Sequence, residues 1–357
     1  MKKRICFYFL FFFVFIQAED FVIASFGASV TQQKNSIWDN FVKILNQKTG
    51  SNHIHKKFGY GGCQICYTSV CKIDEVIESK PDICILDWFH LMEPVANKQG
   101  ILCLEAIIRK LYLNNIKVIF FFHLRGDNEE RQKQFCNFFK SLAQKYGVII
   151  YDEAQELQST FKIPVDPILR DTVHTTDYGS YFLGELFSEF FIRNFELIMN
   201  QSLNYVPDDN PYCHVQESFV TQDMVSCGVE QDKDGYWVVP VGSTVTIAQR
   251  GAIVGMHIKV GPNSPWILID NGNQTKEVLV WDQWAHYERK TTKIIVDSIT
   301  AQALISVIDK HIDYSECRRI IDLNATKPQY FKVKSFYWIP NATIKLVDVV
   351  CSPADIH

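Results

Sequence analysis

Between Phe21 and Gln201 short apolar runs alternate with amphipathic stretches, and this alternation restricts the fold more than any other feature. Phe21 to Phe26, Ile83 to Leu86, Lys117 to Phe122 and Val148 to Tyr151 are such runs. Near-continuous apolar strands are usually buried on both faces of a parallel sheet. The segments between them carry helical spacing. Ser36 is placed to cap a helix from Ile37 to about Lys48, with Ile37, Phe41, Ile44 and Leu45 on one face. Further helices are predicted over Ile73 to Ser79, Leu102 to Asn114, Asp127 or Asn128 to Tyr146, and Asp177 to Ile198. Residues 19–201 are therefore expected to form an α/β domain, a three-layer sandwich around a mostly parallel sheet.

The pattern changes after a polar stretch from Tyr205 to Tyr212, so residues 202–235 read as a linker or the start of a second domain. From 236 to 357 short strand-like segments dominate. They include Tyr236 to Pro240, Thr244 to Ala248, Ala252 to Ile258, Trp266 to Ile269, Lys276 to Trp281, Lys293 to Val296 and Ile344 to Val350. Ala301 to Asp309 has a more helix-like composition. Many short strands separated by Gly and Asn turns point to a β-sandwich of jelly-roll type.

The chain opens with Met1-Lys2-Lys3-Arg4, an apolar segment from Ile5 to Ile16, and a small residue, Ala18, at a suitable cleavage point. This is the layout of a secretory signal peptide over residues 1–18, so the expected location is periplasmic or secreted. The apolar segment is short for a membrane span, and no stable span is expected after cleavage. The formal net charge is -4, and no basic tract is present, so nucleic acid is not an expected partner. Beyond Cys6 ten cysteines remain, and in an exported chain this favours some disulfides. Cys63, Cys66 and Cys71 lack a second Cys/His pair at zinc spacing, and no metal or cofactor is expected.

Open α/β sheets place their chemistry beyond the carboxyl ends of the strands. Three segments qualify, and a fourth remains to be placed. Ser29 follows the first strand, and Asp87, Trp88 and His90 follow the second. His123 and Arg125 follow the third, and Asp171 and His174 lie just before the last helix. At a separation of two intervening residues, Asp171 can accept from one nitrogen of His174, leaving the other to face a serine hydroxyl. That is the arrangement for nucleophilic catalysis. Asp171 or Thr175 could also simply cap the helix. His53 and His55 read as surface residues ahead of the glycine loop. Among the aromatics of the second half, Trp284 and Tyr287 lie in a polar stretch and are candidate glycan contacts. Trp237, Trp266 and Trp281 are expected mostly in the core.

Taken together, Phe26-Gly27-Ala28-Ser29, Gly59-Tyr60-Gly61-Gly62, Leu86-Asp87-Trp88-Phe89-His90 and Asp171-Thr172-Val173-His174 resemble, in order and spacing, the sequence blocks of the SGNH or GDSL-like hydrolase family. The resemblance covers about residues 21–198. It implies Ser29 as nucleophile, His174 as general base, Asp171 as its partner, and an oxyanion hole from the backbone of Ser29 with Gly61 or Gly62. Two positions depart from the family. Ala28 replaces the usual aspartate, and no asparagine follows Leu86. Asp87, Trp88, His90, His123 and Arg125 are candidate pocket residues. The implied function is an exported serine esterase acting on an acylated glycan, for instance an O-acetylated one. The alternatives are a polysaccharide O-acyltransferase using the same serine, and an inactive glycan-binding protein.

Overall fold

The computed structural model describes residues 20–61, 68–88, 98–125, 139–160, 167–204, 210–248, 251–282, 285–300, 302–315, 317 and 329–340. The proposed signal peptide, Gly62, Cys63, Cys66, His90, Trp284 and the strand proposed over Ile344 to Val350 lie outside the described residues.

The first half is an α/β unit. Five strands, β1 (Val22–Gly27), β2 (Ile54–Gly59), β3 (Ile83–Asp87), β4 (Lys117–Phe122) and β5 (Ile149–Asp152), form a parallel sheet in the order β2-β1-β3-β4-β5. The helices are α1 (Ser29–Gln32), α2 (Ile37–Thr49), α3 (Thr68–Glu78), α4 (Lys98–Leu113), α5 (Glu153–Thr160), α6 (Asp177–Arg193) and α7 (Phe195–Met199), with residues 139–146 also helical. The period of two along the strands explains the layers. Ala24, Phe26, Cys84, Leu86, Val118 and Phe120 pack with α3 and α4 in one core. Ile23, Ile83, Ile85, Ile119 and Phe121 pack with α2 and α6 in the other. Ser36 caps α2 as expected, and does so reciprocally with Asp39.

β2 is the one strand of this sheet that the sequence hid. Its run Ile54-His55-Lys56-Lys57-Phe58-Gly59 is largely polar, because it is the sheet edge and has one neighbour. His53 and His55 are consequently not surface residues. His53 is buried, stacks on Phe21 and accepts from the Phe21 amide. The last predicted helix is two, α6 and α7, separated at Asn194.

The second half consists of two antiparallel sheets facing each other. The strands are β6 (Gln216–Phe219), β7 (Glu230–Gln231), β8 (Trp237–Pro240), β9 (Thr244–Ile247), β10 (Gly251–Val260), β11 (Trp266–Asp270), β12 (Thr275–Leu279), β13 (Arg289–Thr300), β14 (Ala303–Ile308) and β15 (Tyr330–Pro340). One sheet is six-stranded, in the order β13-β10-β15-β8-β7 with β6 on β15; the other is four-stranded, in the order β12-β11-β14-β9. Their inner faces bury Val239, Val245, Ile258, Ile267, Ile305 and Phe331. The segment with helix-like composition, Ala303 to Ile308, is thus a strand. Its alternating burial outweighs weak intrinsic preference. Trp237 and Trp281 are buried core residues, whereas Tyr287 is half exposed. Cys71, Cys84, Cys227 and Cys317 are free thiols, so the expected disulfides do not involve these four.

Candidate active site

Ser29, His123 and Glu153 follow the carboxyl ends of β1, β4 and β5, and Asp87 is the last residue of β3. Ser29 lies where the strand order reverses, with β2 on one side of β1 and β3 on the other. Such a switch point opens a crevice above the sheet. β1 ends at Gly27, and Ala28 turns the chain so that Ser29 begins α1. The turn is tight. A Cβ on Gly27 would lie 2.2 Å from Thr31 Oγ1 and 2.7 Å from the Asp87 carbonyl oxygen, so only glycine fits there.

The late block folds as a short closed loop. Arg170 N donates to His174 O at 2.8 Å, and Thr176 N donates to Ile168 O at 2.9 Å. Thr176, rather than Asp171 or Thr175, caps α6, accepting from Gly179 N at 2.9 Å. A Cβ on Gly179 would meet Ile168 O at 2.0 Å, so glycine lets α6 start directly against the loop. Asp171 Oδ1 accepts from Val173 N at 3.0 Å and from His174 N at 2.8 Å. Asp171 Oδ2 lies 2.9 Å from His174 Nδ1.

The loop brings His174 to Ser29. His174 Nε2 is 2.8 Å from Ser29 Oγ, across 145 positions of sequence. With Nδ1–H donating to Asp171, Nε2 of the neutral ring is left as the acceptor of the serine proton. Burial acts to raise the Asp171 pKa. The donors from His174 and Val173 outweigh it and hold the carboxyl below its ordinary 3.8. Ser29 and His174 are half-buried, so neither is sealed from solvent. Gln33 ties the two halves together: its Nε2 donates to the Thr175 carbonyl and hydroxyl, each at 3.1 Å.

Other candidates fall elsewhere. Asp87 is completely buried beneath α1, where its Oδ2 accepts from Thr31 Oγ1 at 2.7 Å and Trp38 Nε1 at 3.2 Å. Trp88 is also completely buried and packs edge-on to Phe26, with ring centroids 4.1 Å apart. His123 is buried, bonded to Glu153 and to the Val173 carbonyl. None of these three lines a pocket as expected, because all are buried: polarity after a strand end is not the same as exposure. Arg125 is half-buried after β4. Gly61 N donates to Gln32 Oε1 at 2.9 Å, so the side chain after the serine turn occupies one of the two amides, Gly61 or Gly62, expected to face the oxyanion. Thr31, Gln32, Gln33, Trp38 and Glu153 escaped the sequence reading; each acts through a partner at least seven, and mostly many more, positions away.

A second group has the same residue types without access. Ser25 Oγ is 2.8 Å from His55 Nε2, and His55 Nδ1 is 3.6 Å from Asp39 Oδ1. Ser25 is wholly buried in mid-strand, so this set ties β1 to the edge strand and to α2.

The parallel sheet, its flanking helices and the switch-point serine give the first domain the SGNH hydrolase-type fold, and a β-sandwich domain follows it. The chain is similar in structure to a two-domain esterase (CEX) active on acetylated mannans and co-crystallised with mannopentaose. The TM-score is 0.68 with 13% identity, over 90% of this chain and 90% of that one. A second crystal structure of a two-domain esterase active on acetylated mannans gives a TM-score of 0.67 at 13% identity, over 90% and 91% of the two chains. At this identity the likeness establishes the shared two-domain fold. No family model and no curated protein sequence matches the chain.

Proposed function

We propose that the protein is a serine-dependent carbohydrate esterase that removes acyl groups, acetyl foremost, from an exported or envelope glycan. The observation that carries this reading is the continuous contact from Ser29 Oγ through His174 to Asp171, at 2.8 and 2.9 Å. Ser29 Oγ attacks the ester carbonyl while Nε2 takes its proton. The imidazolium then returns that proton to the leaving sugar hydroxyl, leaving an acyl-serine. Water, deprotonated by the same Nε2, attacks the acyl carbon and releases the carboxylic acid and free serine. Asp171 orients the ring and stabilises its positive charge. The Ser29 amide and the Gly61 amide receive the oxyanion, with the Gln32 side chain giving way; one such donor contributes about 3 kcal/mol in the transition state. The fold shared with an esterase active on acetylated mannans supports an acetylated polysaccharide as substrate. The N-terminal signal segment supports export, and the exposed Tyr287 is a candidate glycan contact on the second domain.

Purified protein is expected to release acetate from acetylated polysaccharides and aryl acetates, with Ser29→Ala inactive. Transfer to an added sugar exceeding hydrolysis would instead identify an acyltransferase. A second reading, glycan binding without turnover, is favoured by Asp87 standing where the family has its asparagine donor. Equal glycan binding by wild type and Ser29→Ala, with no acetate released by either, would establish it.

A further inference from the structure

The peptide that joins Val173 to His174 is gripped from both sides. Its N–H donates to Asp171 Oδ1 at 2.8 Å, and its carbonyl accepts from His123 Nε2 at 2.6 Å. His123 Nδ1 lies 2.6 Å from Glu153 Oε2, which also accepts from Leu124 N at 3.0 Å. The side chains of His123 and Glu153 are both 0% exposed, so neither touches a substrate.

Counting protons shows what the arrangement needs. A carbonyl only accepts, so Nε2 must carry a hydrogen. The contact between Nδ1 and Oε2 needs a second proton, carried by the ring or by the carboxyl. If that proton leaves, a single ring hydrogen faces two acceptors. The carboxylate is the stronger one, so the hydrogen moves to Nδ1 and the Nε2 lone pair confronts the Val173 carbonyl.

We propose that His123 and Glu153 are a positioning pair for His174, fixing the peptide before it so that its ring stays on Ser29, and that they do so only while they hold their shared proton. The proposal rests on the reading of His174 as the base. Burial alone would lower the His123 pKa. The Glu153 carboxylate, with Asp87 at the end of β3 and the Val173 carbonyl, outweighs burial and lifts it to about 8. Near Glu153, β5 also carries Tyr151, whose hydroxyl burial keeps protonated, and Asp152, which ends the strand; Glu156 lies one turn further along α5. The two groups titrate as one unit. Below the ordinary 6.5 the contribution of the pair is complete, and it is lost as pH rises through about 8.

The test uses the full-length protein with His123→Ala, His123→Gln and Glu153→Gln. In His123→Ala, kcat is expected to fall about 10- to 100-fold with KM nearly unchanged, because the base is misplaced and the substrate site is intact. Glu153→Gln presents its amide oxygen to Leu124 N and to Nδ1, which forces the wrong tautomer. Its activity is expected to survive only at lower pH, with the alkaline limb moved acidward by about a unit or more. His123→Gln keeps a donor for the carbonyl and is expected to recover most of kcat without that limb. Hydrogen exchange at the His174 amide supplies a readout independent of turnover, expected to quicken about 10-fold or more in His123→Ala and Glu153→Gln and to return in His123→Gln. Folded variants with wild-type His174 exchange overturn the proposal. If His123→Ala does not fold, the two near-isosteric variants decide. If wild type hydrolyses no ester, the catalytic reading fails, and the exchange rates still show whether the pair holds the loop.

Discussion

Asp171 serves the backbone and the imidazole with one carboxylate. Oδ1 closes the loop through two amides, and Oδ2 meets His174 Nδ1. In Asp171→Asn an amide group facing Nδ1 makes it an acceptor and places the ring hydrogen on Nε2, against the serine. The kcat is expected to fall about 10³- to 10⁴-fold, while thermal unfolding shows a folded protein. A loss below tenfold in steady-state assays would remove Asp171 from the relay. Because its pKa lies below 3.8, its support is complete above that value and is lost only as pH falls through the depressed one. An acid limb above about pH 4 therefore belongs to another group. The Asp171–His174 pair was legible in the sequence because its partners are three positions apart. The contact of Gln33 with Thr175 spans 142 positions and that of His123 with Glu153 spans 30. Nothing local marks either one.

Among the elements, α6 matters most to the site, since its first turn begins where the His174 loop ends. The Thr176 hydroxyl accepts from Gly179 N and also reaches the Pro167 carbonyl at 2.8 Å. Thr176→Ala is expected to destabilise the protein by about 1 kcal/mol in denaturant titrations. The activity loss should be smaller than for Asp171→Asn, since the relay atoms are untouched. The apolar strands β1, β3, β4 and β5 could be read from the sequence because burial on both faces leaves a continuous apolar run. β2 could not, since an edge strand with polar residues carries no such signature. β15 was missed although it lies in the middle of its sheet. Its run Tyr330-Phe331-Lys332-Val333-Lys334-Ser335-Phe336-Tyr337 changes face partway, with a register shift against β10 near Ser335.

For the molecule as a whole, the two domains share a core. Val215, Val254, Tyr337 and Ile339 of the second domain pack in the same cluster as Val70, Leu104 and Ile108 of α3 and α4. A bulge in β10 makes this possible. The register shifts between Ile253 and Gly255 in both neighbouring ladders, which turns Val254 towards the first domain while Ile253 stays in the sandwich. Lys72 of α3 lies 3.7 Å from Glu217 of β6 across the same boundary. Tyr337 is completely buried there. Tyr337→Ala is expected to cost about 3–5 kcal/mol and to lower one shared calorimetric transition. Two separate transitions, with only the second shifted, would show that the domains unfold independently. A linker and a change of pattern were visible in the sequence, but this shared core was not, because its residues are spread from Val70 to Ile339.

Turnover by the proposed route requires that Ser29 become acylated. The direct measurement is mass spectrometry of protein mixed briefly with an aryl acetate and quenched in acid. One added acetyl group is expected, located on the peptide containing Ser29, absent from Ser29→Ala and accumulating before steady-state release of acetate. Acetate release by wild type with no acyl group on Ser29, or undiminished release by Ser29→Ala, would contradict it.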